Sequence, residues 1–86
     1  MTTAREVALV TLAACERQGA WSDGYLKKAI RQAGLDRRDA ALATRLCFGV
    51  LQNRLLLDFY VRAFCKVKLE KMELKVLCAL RIALYQ

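Results

Sequence analysis

The sequence contains no histidine and no proline, and it has only four glycines among 86 residues. Without histidine a mixed Cys–His zinc site is excluded. No glycine-rich phosphate loop, no set of paired metal ligands and no nucleophile with an evident base is present. The chain is therefore expected to hold no catalytic site, no metal and no cofactor of its own.

Hydrophobic residues make up 57% of the chain. Ala, Leu, Lys, Arg, Glu and Gln are prominent, and because these are good helix formers the composition predicts an all-α fold. A chain this short forms one domain at most and needs an efficient core. We expect residues 1–86 to form a single compact bundle of about five helices.

The four cysteines lie among apolar neighbours at positions 15, 47, 65 and 78. They are interpreted as reduced core residues of a cytoplasmic protein, in preference to disulfides or metal ligands. Cys47 in particular is read as a small hydrophobic residue and not as a nucleophile. The apolar run from Val7 to Cys15 is too short to span a membrane, and it lacks the charged segment that opens a signal peptide.

Apolar residues at helical spacing predict five helices. The predicted segments are 3–18, 23–33, 36–52, 53–65 and 70–86. Helix ends are indicated by capping residues and by glycines that stop a helix. These are Thr2 or Thr3, Gly19, Ser22 or Asp23, Gly34 and Asp36.

Helix 36–52 is apolar on nearly every side, which predicts a central and buried helix. Its N-terminus carries Arg37 and Arg38 at the positive end of the helix dipole, where cations are disfavoured. Asp36 and Asp39 offset this cost with negative charge in the same turn.

Gly49 lies in the middle of this helix and costs about 1 kcal/mol relative to alanine, so we expect another helix to cross closely there. In helix 53–65 we expect Asp58 and Arg62 to pair at the i, i+4 spacing. The acids of this half of the chain are read as members of solvated ion pairs. The apolar side of helix 53–65 is predicted to consist of Leu56, Phe59, Tyr60, Ala63 and Phe64.

Helix 70–86 is almost wholly apolar apart from Arg81, and no stop signal follows Gln86. This pattern predicts that the natural protein continues and that the domain is truncated at its C-terminal end.

Fifteen Lys and Arg against eight Asp and Glu give a net charge of +7. The charge is concentrated in residues 24–54, where seven basic residues accompany two acidic ones. Such a cluster can be a solvated face, but it can also neutralise phosphates and release counterions, and the asymmetry favours a nucleic acid. RNA is preferred because helix 36–52 lacks the exposed polar face of a DNA-recognition helix. Charge alone nominates Lys27, Lys28, Arg31, Arg37, Arg38 and Arg54 as RNA-binding residues.

The central stretch LDRRDAALATRLCFGVLQNR, residues 35–54, resembles the pattern LDxRDxALATxLxxGxLRxR. That pattern belongs to the N-terminal, NusB-like domain of bacterial small-subunit rRNA cytosine-C5 methyltransferases of the RsmB or Sun type. The opening Ala4-Arg5 with Ala8-Leu9 and the closing RIALYQ, residues 81–86, are similar to the two ends of the same domain.

The resemblance implies an all-α domain that binds RNA and precedes a catalytic domain using S-adenosylmethionine and cysteine chemistry. Arg5 is the one residue that it carries over as an RNA contact. The partners it implies are rRNA and the protein's own C-terminal methyltransferase domain, with no membrane. S-adenosylmethionine is then expected as the cofactor of the full-length protein.

The same residues also resemble the transcription antitermination protein NusB, through Ala4-Arg5-Glu6, Gly49-Val50, Asn53, Leu57-Asp58 and the segment 81–85. The run from Arg38 to Thr44 favours the methyltransferase domain. A stand-alone antitermination factor is therefore one alternative. Another is a protein-interaction module whose apolar helices form a homodimer or hold a neighbouring domain.

Overall fold

The computed structural model describes residues 2–86, which fold into five α-helices without a strand. The helices are α1 (Ala4–Gln18), α2 (Asp23–Ala33), α3 (Arg37–Gln52), α4 (Arg54–Phe64) and α5 (Leu74–Tyr85), and a short 3-10 helix (Leu69–Lys71) precedes α5. The predicted all-α bundle of five helices is confirmed.

Helix ends form at the predicted capping residues. The caps of α1, α2 and α3 are the side-chain oxygens of Thr3, Ser22 and Asp36, which accept the backbone N–H groups of Glu6, Tyr25 and Asp39. Gly19 and Gly34 end α1 and α2 in the left-handed region, with φ of 77° and 67°. A residue with a Cβ atom is strained there, which is why glycine marks both stops.

The helices α1 and α3 form the centre of the bundle. Helix α3 contacts α1, α2, α4 and α5, and α1 contacts α2, α3 and α5. The prediction that helix 36–52 is central is thereby confirmed, although Ala41, Arg45 and Phe48 of α3 face solvent. All four cysteines are free thiols; Cys15, Cys47 and Cys78 are buried, and Cys65 is half-buried.

Gly49 lies where α5 crosses α3, and the side chain of Tyr85 packs directly against it. A Cβ atom at position 49 would overlap the Tyr85 ring. The glycine is therefore explained by a close crossing, as the sequence predicted.

The predicted apolar side of α4 was wrong. Leu57, Asp58 and Val61 face the core, whereas all five predicted core residues of this helix are exposed. Because α4 is apolar around most of its circumference, helical spacing does not indicate which stripe faces the bundle. The side of α4 that faces the core instead includes the carboxylate of Asp58, which the spacing places at the surface.

The predicted Asp58–Arg62 pair was also wrong. Asp58 is buried and accepts hydrogen bonds from Arg81 of α5 at 2.7 and 3.0 Å. Arg62 instead lies 3.8 Å from Glu70 in an exposed pair. A buried carboxylate needs a charged partner that is also buried, and Arg81 provides it.

The predicted start of the last helix, near Glu70, was early. The 3-10 turn is followed by extended backbone at Met72 and Glu73. Extended backbone interrupts the helical hydrogen bonds, so α5 begins at Leu74, and the Leu77 N–H donates to the Glu73 carbonyl.

Candidate nucleic-acid interface

Three of the predicted RNA-binding residues share the exposed side of α2. Leu26 is buried and turns α2 towards the core, which leaves Lys27, Lys28 and Arg31 in solvent. None of the three forms an ion pair with any residue in 2–86. Lys28 also lines a groove of about 330 Å³ between α1 and α2. The cations of α2 are therefore free to meet an external anion.

Two further predicted RNA-binding residues, Arg37 and Arg38, lie in the first turn of α3. Both are exposed, and neither is ion-paired within residues 2–86. The link from Gly34 to Asp36 keeps the end of α2 next to the start of α3. We call Lys27, Lys28, Arg31, Arg37 and Arg38 the α2–α3 cationic surface.

Arg5 and Arg54 lie apart from each other and already have partners. The Arg5 Nε–H donates to Gln86 Oε1 at 2.9 Å, which ties the start of α1 to the end of α5. Arg54 Nη2 donates to Glu16 Oε1 at 3.0 Å, and its side chain is 51% exposed. Since Arg5 and Glu16 are roughly 16 Å apart along α1, the structure does not unite the seven predicted residues in one site.

Sequence reasoning missed a buried charge network behind Arg54. Arg81, whose side chain is only 4% exposed, donates to both oxygens of Asp58 and, at 2.9 Å, to Glu16 Oε2. Glu16 thus joins Arg81 to Arg54 across three helices. Arg81 is the one charged residue between Val76 and Tyr85, and a lone charge in such a helix could have indicated a buried ion pair.

The network alters the ionisation of its members. Burial alone lowers the pKa of the Arg81 guanidinium, but the hydrogen bond to Asp58 and the negative charge of Glu16 offset this, so its pKa is raised. Burial and then the charge of Glu16 raise the pKa of the Cys78 thiol to about 11. Arg81 therefore stays charged and Cys78 stays a neutral thiol at physiological pH, so neither is activated for catalysis.

The described residues also bear on metal and cofactor binding. Within residues 2–86, no group of three or more His, Cys, Asp or Glu side chains could hold a metal ion. This part of the chain contains no strand followed by a glycine-rich turn. No helix among these residues has the length and apolar character that crossing a membrane requires.

Comparison with known proteins identifies relatives that are described as methyltransferases. The chain is 35% identical over 85 residues to a probable ribosomal RNA small subunit methyltransferase B of Bacillus subtilis, covering 99% of this chain and 19% of that protein. It is 34% identical over 83 residues to a putative methyltransferase of Mycobacterium tuberculosis, covering 96% of this chain and 18% of the relative. The chain thus spans less than a fifth of these curated relatives.

No solved structure matches the chain significantly. The sequence profile of the NusB family, by contrast, matches residues 2–86. This match covers all the residues that form the five helices and the cationic surface. The chain belongs to the NusB family.

Proposed function

We propose that this chain is the RNA-binding domain of an rRNA (cytosine-C5) methyltransferase. In this proposal the domain docks rRNA in the cytoplasm, while a separate catalytic domain of the longer protein uses S-adenosylmethionine. Support comes from the NusB family match and from relatives described as methyltransferases, of which the chain matches only a small part. The same relatives favour this function over a stand-alone antitermination factor.

The observation that carries the proposal is the α2–α3 cationic surface. Its five side chains are exposed and have no ion-pair partner within residues 2–86. A cation already paired to a carboxylate gains little from a phosphate, whereas an unpaired one releases a counterion from RNA. We therefore expect these residues to contribute more to binding than Arg5 and Arg54.

The test is the salt dependence of binding to a small-subunit rRNA helix. Each phosphate contact to a duplex contributes about 0.9 to the slope of log K against log salt concentration. The triple variant Lys27→Gln, Lys28→Gln, Arg31→Gln is expected to reduce this slope by about 2 to 3 and to keep its helical circular dichroism.

A matched control removes three lysines elsewhere. Lys66, Lys68 and Lys71 are exposed on the link before α5, and changing all three to Gln alters the net charge by the same amount. This control is expected to leave the slope close to that of wild type. Equal effects of the two triple variants would contradict a localised RNA site and indicate attraction by net charge alone.

A second candidate function, a protein-interaction module, is favoured by one further observation. Helix α4 exposes an apolar face, with Leu55 87% and Phe64 76% exposed. The exposed α4 face consists of Leu55, Leu56, Phe59, Tyr60, Ala63 and Phe64. Its area is on the order of 600 Å², the upper limit for an apolar patch on a typical monomer. It would hold a neighbouring domain of the longer protein or a second copy of this chain.

Sedimentation velocity over a range of protein concentrations tests the second copy. The wild type is expected to associate, and the double variant Phe59→Ser, Phe64→Ser to remain a folded monomer. Val10→Ser removes an exposed apolar side chain from α1 and is expected to leave association unchanged. A wild type that stays monomeric at every concentration would exclude the homodimer and leave the neighbouring domain as the partner to test.

A further inference from the structure

A cleft of about 320 Å³ opens at the C-terminal end of α1, between α1, α3 and α5. We call it the Trp21 cleft. Its walls include Leu12, Trp21 and Leu51, and its polar groups belong to Glu16, Arg54 and Arg81. Mostly apolar walls with a few convergent polar groups are typical of sites for small organic ligands. The volume is sufficient for one planar ring system.

The ion-pair network to which the polar groups of the Trp21 cleft belong is balanced in charge. Arg54 and Arg81 carry two positive charges, and Glu16 and Asp58 carry two negative charges in the same network. A phosphate in the cleft would meet the Glu16 carboxylate and would have to compete with it for both guanidinium groups. The charge balance therefore favours an uncharged ligand over a phosphate.

Arg54 and Glu16 both keep hydrogen-bonding capacity that the network does not use. Arg54 donates one hydrogen bond within residues 2–86, to Glu16 Oε1, and a guanidinium has five N–H donors. Glu16 Oε1 accepts this one bond and keeps a second lone pair. The cleft can thus donate to a ring acceptor and accept from an amino group at the same time, as the edge of a nucleobase requires.

Trp21 provides an aromatic surface in a fixed orientation. Its indole Nε1–H donates to Asp23 Oδ1 at 2.7 Å, and its ring packs on Phe48 with centroids 5.4 Å apart. A held aromatic ring at the wall of a cleft is suited to stacking on an unpaired base.

We propose that the Trp21 cleft binds one unpaired nucleobase of RNA. Trp21 packs against the base, Arg54 donates to a ring nitrogen or carbonyl, and Glu16 accepts from an exocyclic amino group. Adenine, cytosine and guanine have that amino group and uracil does not, so uracil binds more weakly. The inference rests on the proposed RNA-binding function and adds a base-contacting site to its phosphate-contacting surface.

Uncharged nucleosides test the cleft separately from phosphate binding. Trp21 is the only tryptophan, so its indole N–H gives a single, assignable signal in the ¹⁵N–¹H NMR spectrum of the protein. Titration with adenosine, cytidine, guanosine and uridine is expected to shift this signal saturably at millimolar concentration, least for uridine. The affinity is expected to be independent of salt, unlike binding through the α2–α3 cationic surface.

Arg54→Gln is the decisive variant, since its half-exposed side chain can be replaced without opening the core. It is expected to weaken nucleoside binding about tenfold. Arg62→Gln makes the same chemical change on the exposed side of α4 and is expected to leave the nucleoside affinity unchanged.

Absence of any shift of the Trp21 signal by nucleosides would overturn the proposal. So would a signal that moves only with protein concentration, which would indicate that another protein surface fills the cleft. Neither result would affect the salt-dependent binding of an rRNA helix, so the two proposals can fail independently.

Discussion

At the scale of the single residue, the buried hydroxyl of Thr11 has no hydrogen-bond partner among residues 2–86. Thr11 is fully buried, and its Oγ1 is the one buried polar side-chain atom in residues 2–86 without a hydrogen-bond partner. An unsatisfied buried hydroxyl costs roughly 1 to 3 kcal/mol. Thr11→Val keeps the shape and replaces the hydroxyl by a methyl group. We expect it to raise the free energy of unfolding in urea by about 1 kcal/mol.

Thr44 is the matched control, because its Oγ1 donates to the Ala40 carbonyl at 2.9 Å. Thr44→Val removes a satisfied hydroxyl and is not expected to stabilise the protein. A Thr11→Val variant less stable than wild type would show that the Thr11 hydroxyl has a partner in solution, such as a buried water.

Arg81 illustrates the opposite case, in which a buried charge is fully partnered. Arg81→Met would leave Asp58 buried without its cation, and we expect the free energy of unfolding to fall by about 3 to 5 kcal/mol. Arg62→Met disrupts an exposed pair 3.8 Å long and is expected to cost less than about 1 kcal/mol. Urea denaturation of both variants measures the difference.

A second variant keeps the test informative if Arg81→Met does not fold. The double variant Asp58→Leu, Arg81→Met removes both buried charges and is expected to be more stable than Arg81→Met alone. If the double variant were the less stable of the two, the cost of Arg81→Met could not be assigned to an unpaired Asp58 carboxylate.

At the scale of the element, the crossing of α3 and α5 depends on Gly49. Gly49→Ala improves helix propensity by about 1 kcal/mol but places a methyl group in the Tyr85 ring. In the Tyr85→Ala background that conflict is absent. We therefore expect Gly49→Ala to destabilise the wild type and to stabilise the Tyr85→Ala protein, as measured by thermal unfolding. Equal effects in both backgrounds would mean that Tyr85 moves away at no cost.

The cationic surface shows what an element contributes to the candidate site. The exposure of Lys27, Lys28 and Arg31 was predictable because the apolar spacing of α2 leaves one side for the core. Exposure of Arg37 and Arg38 follows from their place in a capped first turn. Arg54 differs, since its Glu16 partner lies 38 positions away in the chain, and no helical spacing indicates that pair.

At the scale of the whole molecule, stability should depend on pH through the buried thiols. Burial, and to a lesser extent Cys15, raises the pKa of Cys47 to about 12, and burial raises that of Cys78 to about 11. Above pH of about 8.5 to 9 the unfolded chain loses these protons while the folded protein keeps them. Unfolding is therefore favoured progressively as pH rises from about 9 towards 11. We expect the urea midpoint to fall over this range.

Cysteine-to-alanine variants separate this effect from the titration of other groups. Cys78→Ala is expected to be less stable than wild type at pH 7, because it leaves a cavity, but to lose stability less steeply above pH 9. Cys65→Ala, at the half-buried position, provides the comparison for an accessible thiol. Parallel pH profiles for the wild type and Cys78→Ala would contradict the assignment.

The sequence by itself determined the fold class, the positions of the caps and the cations of α2 and early α3. These features are local: Thr3, Ser22 and Asp36 each accept from an N–H three positions away, and a glycine stops a helix through its own backbone. The family could also be read from the stretch 35–54, because its motif is contiguous.

Only the tertiary structure decided which side of α4 faces the core and which charges are buried. Arg81 pairs with Asp58 and Glu16 across 23 and 65 positions of the chain. Such pairs follow from how the helices pack and from the cost of burying an unpaired charge, and neither is encoded in local spacing. The Trp21 cleft has the same origin, because its walls and its polar groups come from parts of the chain that only folding brings together.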